Sequence, residues 1–135
     1  MKVRSLAVLV SSVLAGCTAT SRDIEVVRPP VGANEVFEGR VAAAPGHSLV
    51  MGDLVLPPDG AIARHRHSGE EFLYVLGGSA VVSRLGEADV TLEAGQAIRI
   101  APGVVHWGRA GPLGVRAVAS WIKMDGQPLR EAVPE

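Results

Sequence analysis

The sequence predicts an all-β domain of antiparallel strands closed into a sandwich or barrel, and three observations predict it. Short runs rich in Val, Ile, Leu and Ala recur along the chain, each ended by a Gly or Pro turn signal. Beyond the N-terminus no stretch carries a long amphipathic helical pattern. His65, His67 and Glu71 share one parity, so an extended segment would aim all three side chains at one cavity. On a helix, positions two apart do not face each other.

The elements follow in order. Val36 to Ala43 is a first strand, ended by Pro45-Gly46, and Ser48 to Leu56 a second, ended by Pro57-Pro58-Asp59-Gly60. Ala61 to His67, Glu71 to Leu76 and Ala80 to Leu85 come next, the last two separated by Gly77-Gly78. Glu87 to Ala94 could be read as helical, but its β-branched residues and the Gly95 that closes it favour a strand over Asp89 to Leu92. Gln96 to Ile100, Val104 to Gly108 and Gly114 to Met124 complete the run. Strands this short and regular are those of a sandwich or barrel.

Composition bounds what such a domain can do. A chain of 135 residues holds one domain. With 47% hydrophobic and 20% charged residues it can bury a core. A net charge of −1 without any Lys/Arg cluster excludes nucleic acid as a partner.

The N-terminus is read apart from the fold. Lys2 and Arg4 form a basic start, and Leu6 to Leu14 is an apolar stretch too short to span a bilayer. It ends in Leu14-Ala15-Gly16-Cys17, which resembles the lipobox of bacterial lipoproteins. That resemblance implies a signal peptide over residues 1–16, lipidation of Cys17 and anchoring to the membrane by lipid alone. Cys17 is the single cysteine, so acylation would consume the one thiol that export would otherwise leave reactive. Thr18 in place of Asp carries no signal for inner-membrane retention, which places the protein on the outer membrane, facing the periplasm. Residues 17–34 then read as a tether broken by Arg28-Pro29-Pro30, with Ile24 to Val27 a weak candidate strand. The barrel is assigned to residues 35–127 and a C-terminal tail to 128–135.

Two segments carry a second resemblance. Residues 60–78, GAIARHRHSGEEFLYVLGG, look like the first motif of the cupin superfamily, and residues 95–106, GQAIRIAPGVVH, look like the second. The likeness spans roughly residues 47–123. It implies a jelly-roll barrel holding one divalent metal through His65, His67, Glu71 and His106. Ala101 stands where a Pro is usual, Ala110 where an Asn often follows the last His, and Gly60 lies one residue nearer the first His than usual. None of these positions is a ligand. The physical case agrees, because imidazole nitrogens and a carboxylate suit Mn, Fe, Ni, Cu or Zn. No twin-arginine pair precedes the apolar stretch, so the chain would cross the membrane unfolded and load its metal outside the cytoplasm, which favours Cu or Zn.

The neighbouring residues carry weaker expectations. His47 reads as a loop histidine outside the ligand set, Arg64 and Arg66 as solvated or ion-paired, Met51 and Met124 as core, and Trp107 and Trp121 as core or interface, with pocket lining the alternative for both. Phe72, Tyr74 and Leu76 alternate with Leu73 and Val75, so this strand is apolar on both faces, and its second face predicts a homodimer. Function is expected to be metal-dependent chemistry on a small molecule, dioxygenase- or oxidase-like. The alternative is a non-catalytic metal or small-ligand binder of the cell envelope.

Overall fold

Alternation and turn chemistry build the described residues from strands joined by turns and loops. The computed structural model describes residues 29–135, and among them there is no helix. The signal peptide, Cys17, most of the tether and the candidate strand at residues 24–27 lie outside the described residues. Eight strands follow: β1 (Gly32–Arg40), β2 (His47–Leu56), β3 (Ala61–Arg66), β4 (Glu71–Arg84), β5 (Val90–Glu93), β6 (Ala97–Ile100), β7 (His106–Met124) and β8 (Glu131–Ala132). Every pairing is antiparallel.

Two long strands, β4 and β7, run through both halves of the barrel. The first half of β4 pairs with the second half of β7, Glu71 opposite Trp121 and Val75 opposite Ala117, and β6 lies on its other side. β2 and then β1 extend this half beyond β7. The second half of β4 pairs with the first half of β7, Ala80 opposite Ala110 and Arg84 opposite His106. There β5 flanks β4, while β3 and then β8 flank β7. The all-β, antiparallel jelly-roll barrel expected from the sequence is the fold that forms.

The sequence reading divided each long strand in two, and the chain instead bends without breaking. The β4 ladder shifts register at Val75/Gly77 and again at Gly78/Ala80. Gly78 adopts φ +70° and Gly114, next to its ladder partner Val115, φ +78°. A Cβ on Gly78 would lie 2.0 Å from the Gly114 carbonyl oxygen. Glycine is therefore required at this corner both for its dihedral and for the close approach of two backbones. Gly-Gly signals a turn when read alone, but here it curves a strand.

Alternation along the strands fills the interior. Ser48, Val50, Gly52 and Leu54 point inward from β2, Leu73 and Val75 from β4, and Val115, Ala117, Ala119 and Trp121 from β7. Burying a Val or Leu side chain is worth roughly 1.5–3 kcal/mol. Trp121 fits because Gly52 is small: a Cβ there would come within 3.0 Å of the indole ring. Met51 is only half-buried and Met124 is exposed, so neither belongs to the core as expected. Both alternate with inward residues and so fall on the outer face.

Outside the barrel the same alternation leaves an apolar sheet face. Phe72, Tyr74 and Leu76 are 42–47% exposed. Phe72 stands level with Ser120, Met51 and Phe37 across β7, β2 and β1, and Tyr74 with Val118. Two ends of the barrel also differ from their sequence-based limits. β1 begins at Gly32, within the stretch read as tether, and β8 lies within the stretch read as tail.

Candidate metal centre

Each of the four predicted donors sits where a strand begins or ends. His65 is on β3, directly opposite His106, the first residue of β7. Glu71 opens β4 and continues the inward face of Leu73 and Val75. His67 follows the end of β3. The extended path assumed between His67 and Glu71 does not form, because Ser68 and Gly69 make a bend. The donors converge through that bend rather than through strand parity alone. A Cβ on Gly69 would fall 1.5 Å from the Ile122 carbonyl oxygen, and Ile122 donates its N–H to the Glu70 carbonyl at 2.9 Å. The bend is thus pressed onto β7 at a point only glycine can occupy.

A second turn is tied to the first. Gly103, at φ +75°, donates its N–H to the His67 carbonyl at 2.9 Å. The turn that launches His106 is therefore fixed to the backbone of another donor.

The three imidazoles are held in one tautomer. His65 Nδ1 faces the Ala63 carbonyl at 2.7 Å, His106 Nδ1 the Val104 carbonyl at 2.9 Å, and His67 Nδ1 the Leu129 carbonyl at 2.5 Å. A carbonyl only accepts, so each Nδ1 donates and each Nε2 is left with its lone pair pointing inward. His65 Nε2 and His67 Nε2 lie 3.1 Å apart, His67 Nε2 and Glu71 Oε2 3.2 Å, and His106 Nε2 and Glu71 Oε2 2.9 Å. All four donor atoms fall within 4.8 Å of one another.

Such convergence is costly unless a cation resolves it. All four residues are buried, and two neutral Nε2 lone pairs facing at 3.1 Å repel. Glu71 Oε2 and His106 Nε2 are close, yet neither has an aligned hydrogen bond. Donors sharing an ion at about 2.1 Å lie about 3.0 Å apart when they subtend a right angle. The three short spacings, 2.9–3.2 Å, lie near that value, and the donor types suit a divalent ion.

For two of the donors, His65 and Glu71, the electrostatics point the same way, while His106 is pulled towards its charged form by Glu71. Burial pushes His65 down to about 4, with His106 and His67 adding to the shift. Burial would raise Glu71, but contacts with His106 and His67 outweigh it and hold the carboxyl at about 2. Burial also opposes charge on His106, yet Glu71 and the Val104 carbonyl overcome it and raise its pKa. Glu71 is therefore an anion and His65 neutral at neutral pH, the states a metal ligand needs.

A cavity of about 230 Å³ adjoins the cluster. Leu54, Leu73, Ile100 and Val115 line its interior, while Glu35, Arg109 and Arg130 line it and remain exposed, which puts them at its rim. Trp121 donates its indole N–H towards His67 Nε2 at 3.2 Å, and Trp107 also lines the cavity. Both tryptophans therefore border the pocket, and Trp121 is core as well. Residue spacing alone could not place them. His47 stays outside the cluster, on the Pro45 carbonyl. Arg66 pairs with Glu131 at 2.8 Å, and Arg64 lies 5.3 Å from the Trp107 ring centre.

Residues 52–113 match the family model described as Cupin domain. The fold is a cupin fold. An uncharacterised Klebsiella pneumoniae protein with a double-stranded β-helix domain is similar at 25% identity and TM-score 0.57, over 82% of this chain and 98% of that one. Bacillus subtilis oxalate decarboxylase is similar at 20% identity and TM-score 0.62, over 78% of this chain and 29% of that one. The DMSP lyase DddQ of Ruegeria pomeroyi is similar at 19% identity and TM-score 0.55, over 67% of this chain and 44% of that one. The chain thus spans less than half the length of either enzyme. No curated protein matches it by sequence. The domain match and these neighbours support the cupin superfamily, and a buried His/Glu cluster in such a barrel suggests a divalent metal site.

Proposed function

We propose that this cupin holds one divalent transition metal through His65, His67 and His106 Nε2 and Glu71 Oε2, and uses it on a small molecule in the adjoining cavity. One observation carries the reading: three Nδ1 atoms are each committed to a backbone carbonyl, which turns three Nε2 atoms towards one carboxylate, with the Trp121 indole N–H resting on the His67 Nε2 position that an ion would take. A bound ion supplies Lewis acidity and, if redox-active, electron transfer. Glu71 brings the single negative charge among the four donors, so the site keeps a formal excess of +1 and attracts anionic ligands. The hydrocarbon wall excludes water from the ligand's body.

Apart from the donors, the titratable residues lining the cavity are Glu35, Arg109 and Arg130, all at the rim. Chemistry that leans little on side-chain acid–base groups suits such a wall, and dioxygenase- or oxidase-like reactions have that character. Cu and Zn lead among Cu, Zn, Mn, Fe and Ni, on affinity and on loading outside the cytoplasm. The N-terminal tetrad supports a lipoprotein acylated at Cys17 and anchored in the cell envelope facing the periplasm. The outer apolar face of Phe37, Phe72 and Tyr74 supports a homodimer, which light scattering would show as twice the chain mass and Tyr74→Glu would reduce to one.

The test is oxygen uptake by metal-loaded protein across enediol, diketone and phenolic substrates. Turnover that disappears in His65→Ala and His106→Ala supports the enzyme. Tight binding without turnover across the panel would contradict it and leave a binding protein.

A further inference from the structure

Arg130 is the one charged group in the cavity wall held close to the cluster by the C-terminal segment, and the metal reading gives it no task. It lines the same cavity as His65, His67, Glu71 and His106. The residues on either side of it are both anchored. The Leu129 carbonyl accepts the His67 Nδ1 proton, while Glu131 pairs with Arg66 and lies opposite it in the β8–β3 ladder. Arg130 is therefore fixed at the rim by its backbone. Among the described residues its guanidinium has no carboxylate in ion-pairing range, since Glu131 is engaged by Arg66 and the other ion pairs lie elsewhere.

We infer that the cavity binds a small monocarboxylate with an apolar body, its carboxylate lying between the divalent ion and the Arg130 guanidinium. This rests on the metal reading above. A carboxylate has two oxygens, so one anion can serve both cations, and a guanidinium is the side chain best shaped to receive it. The formal +1 left at the metal site and the unpaired charge of Arg130 act from the same cavity. Glu35 and Arg109 at the rim carry opposite charges and add no net preference. The body must be apolar because Leu54, Leu73, Ile100 and Val115 offer it nothing to hydrogen-bond, and a second carboxylate seated there would lose its hydration unpaired. The space, about 230 Å³, limits the ligand to a small acid.

The experiment uses full-length protein loaded with Co(II), read by calorimetry and by the visible absorption of the ion. Metal titration comes first, in wild type and in Arg130→Gln. One ion per chain with affinities equal within about twofold is expected, because Arg130 is not a ligand. Butanoate is then titrated into both loaded proteins, with oxalate as a second arm. Wild type should bind butanoate with a spectral shift, and Arg130→Gln should bind it at least tenfold more weakly while keeping its melting temperature. Arg130→Lys should recover part of the loss. Failure of wild type to bind metal sinks the metal reading and this inference with it. Normal metal binding with equal butanoate affinity in wild type and Arg130→Gln overturns the inference alone. Tighter binding of oxalate than butanoate overturns the monocarboxylate assignment.

Discussion

Two parts of the chain meet at the candidate metal centre, and they do different work. The turns around residues 65–71 and 102–106 deliver all four donors and are knotted together by the Gly103 to His67 hydrogen bond. The C-terminal segment, residues 129–132, contributes no donor. It supplies the carbonyl that orients His67 and a strand that lies on β3, and it brings Arg130 to the cavity. The contrast teaches that the donor set and its orientation are separable: one part fixes what binds, the other fixes how one ligand points.

Removing a donor should break that division most severely. His106→Ala deletes one of the four proposed ligands, and metal affinity should fall by about 100-fold or more, since structural sites of four ligands bind with roughly 10–16 kcal/mol in all. Calorimetric titration would show it, and a loss under tenfold would mean that the turns do not define the site. Gly69→Ala tests the turn itself. Its Cβ would overlap the Ile122 carbonyl, and we expect about 3 kcal/mol of lost stability in thermal unfolding. The clash is with backbone, which has no rotamer to swing away.

Next comes the C-terminal segment. Truncation after Pro128 leaves every donor in place but removes the His67 partner. Outer-shell partners of metal-bound histidines are worth 10–100-fold in affinity, so a loss of about tenfold is expected, smaller than for His106→Ala. Equality of the two losses would erase the distinction drawn here. Smallest of all, Glu131→Ala breaks an exposed ion pair with Arg66 and should cost no more than about 0.5 kcal/mol.

Acid should act on the donors and spare the C-terminal contacts. In metal-free protein, His65 has a folded pKa of about 4 against an ordinary 6.5, so between those values the unfolded chain binds more protons. Stability from this group is complete above pH 6.5 and drains away as pH falls towards 4. Glu71, lowered from 4.5 to about 2, adds a second loss below pH 4.5. His106 is raised and works in the opposite sense: its contribution is present below pH 6.5 and disappears as pH rises through its folded value. Denaturant unfolding at pH 7, 5.5 and 4 should show stability declining over that range, and His65→Gln should flatten the upper part of the decline.

The same division separates what was legible in the sequence from what was not. His65, His67, Glu71 and His106 carry their chemistry in their side chains, and their motifs are local, so both the barrel and the cluster could be read in advance. The parity argument reached the right residues by an incomplete route, because it assumed an extended path where Ser68 and Gly69 bend. Leu129 was invisible for a physical reason. It acts through a backbone carbonyl, which every residue has, and across 62 positions of chain. Arg130 gave no signal either, since a lone arginine beyond the last long strand reads as solvated tail. Gly77-Gly78 misled in the other direction: glycine permits both a turn and a sharply curved strand, and only the Gly114 carbonyl facing it decides between them.

The central claim is that three Nε2 atoms and one carboxylate share a single ion. X-ray absorption at the metal edge, on protein loaded to saturation and checked by elemental analysis, tests it most directly. One ion per chain with three imidazole nitrogens and one carboxylate oxygen in its first coordination sphere is the predicted result. A saturated protein holding less than half an ion per chain, or an ion with fewer than three imidazoles, would contradict it.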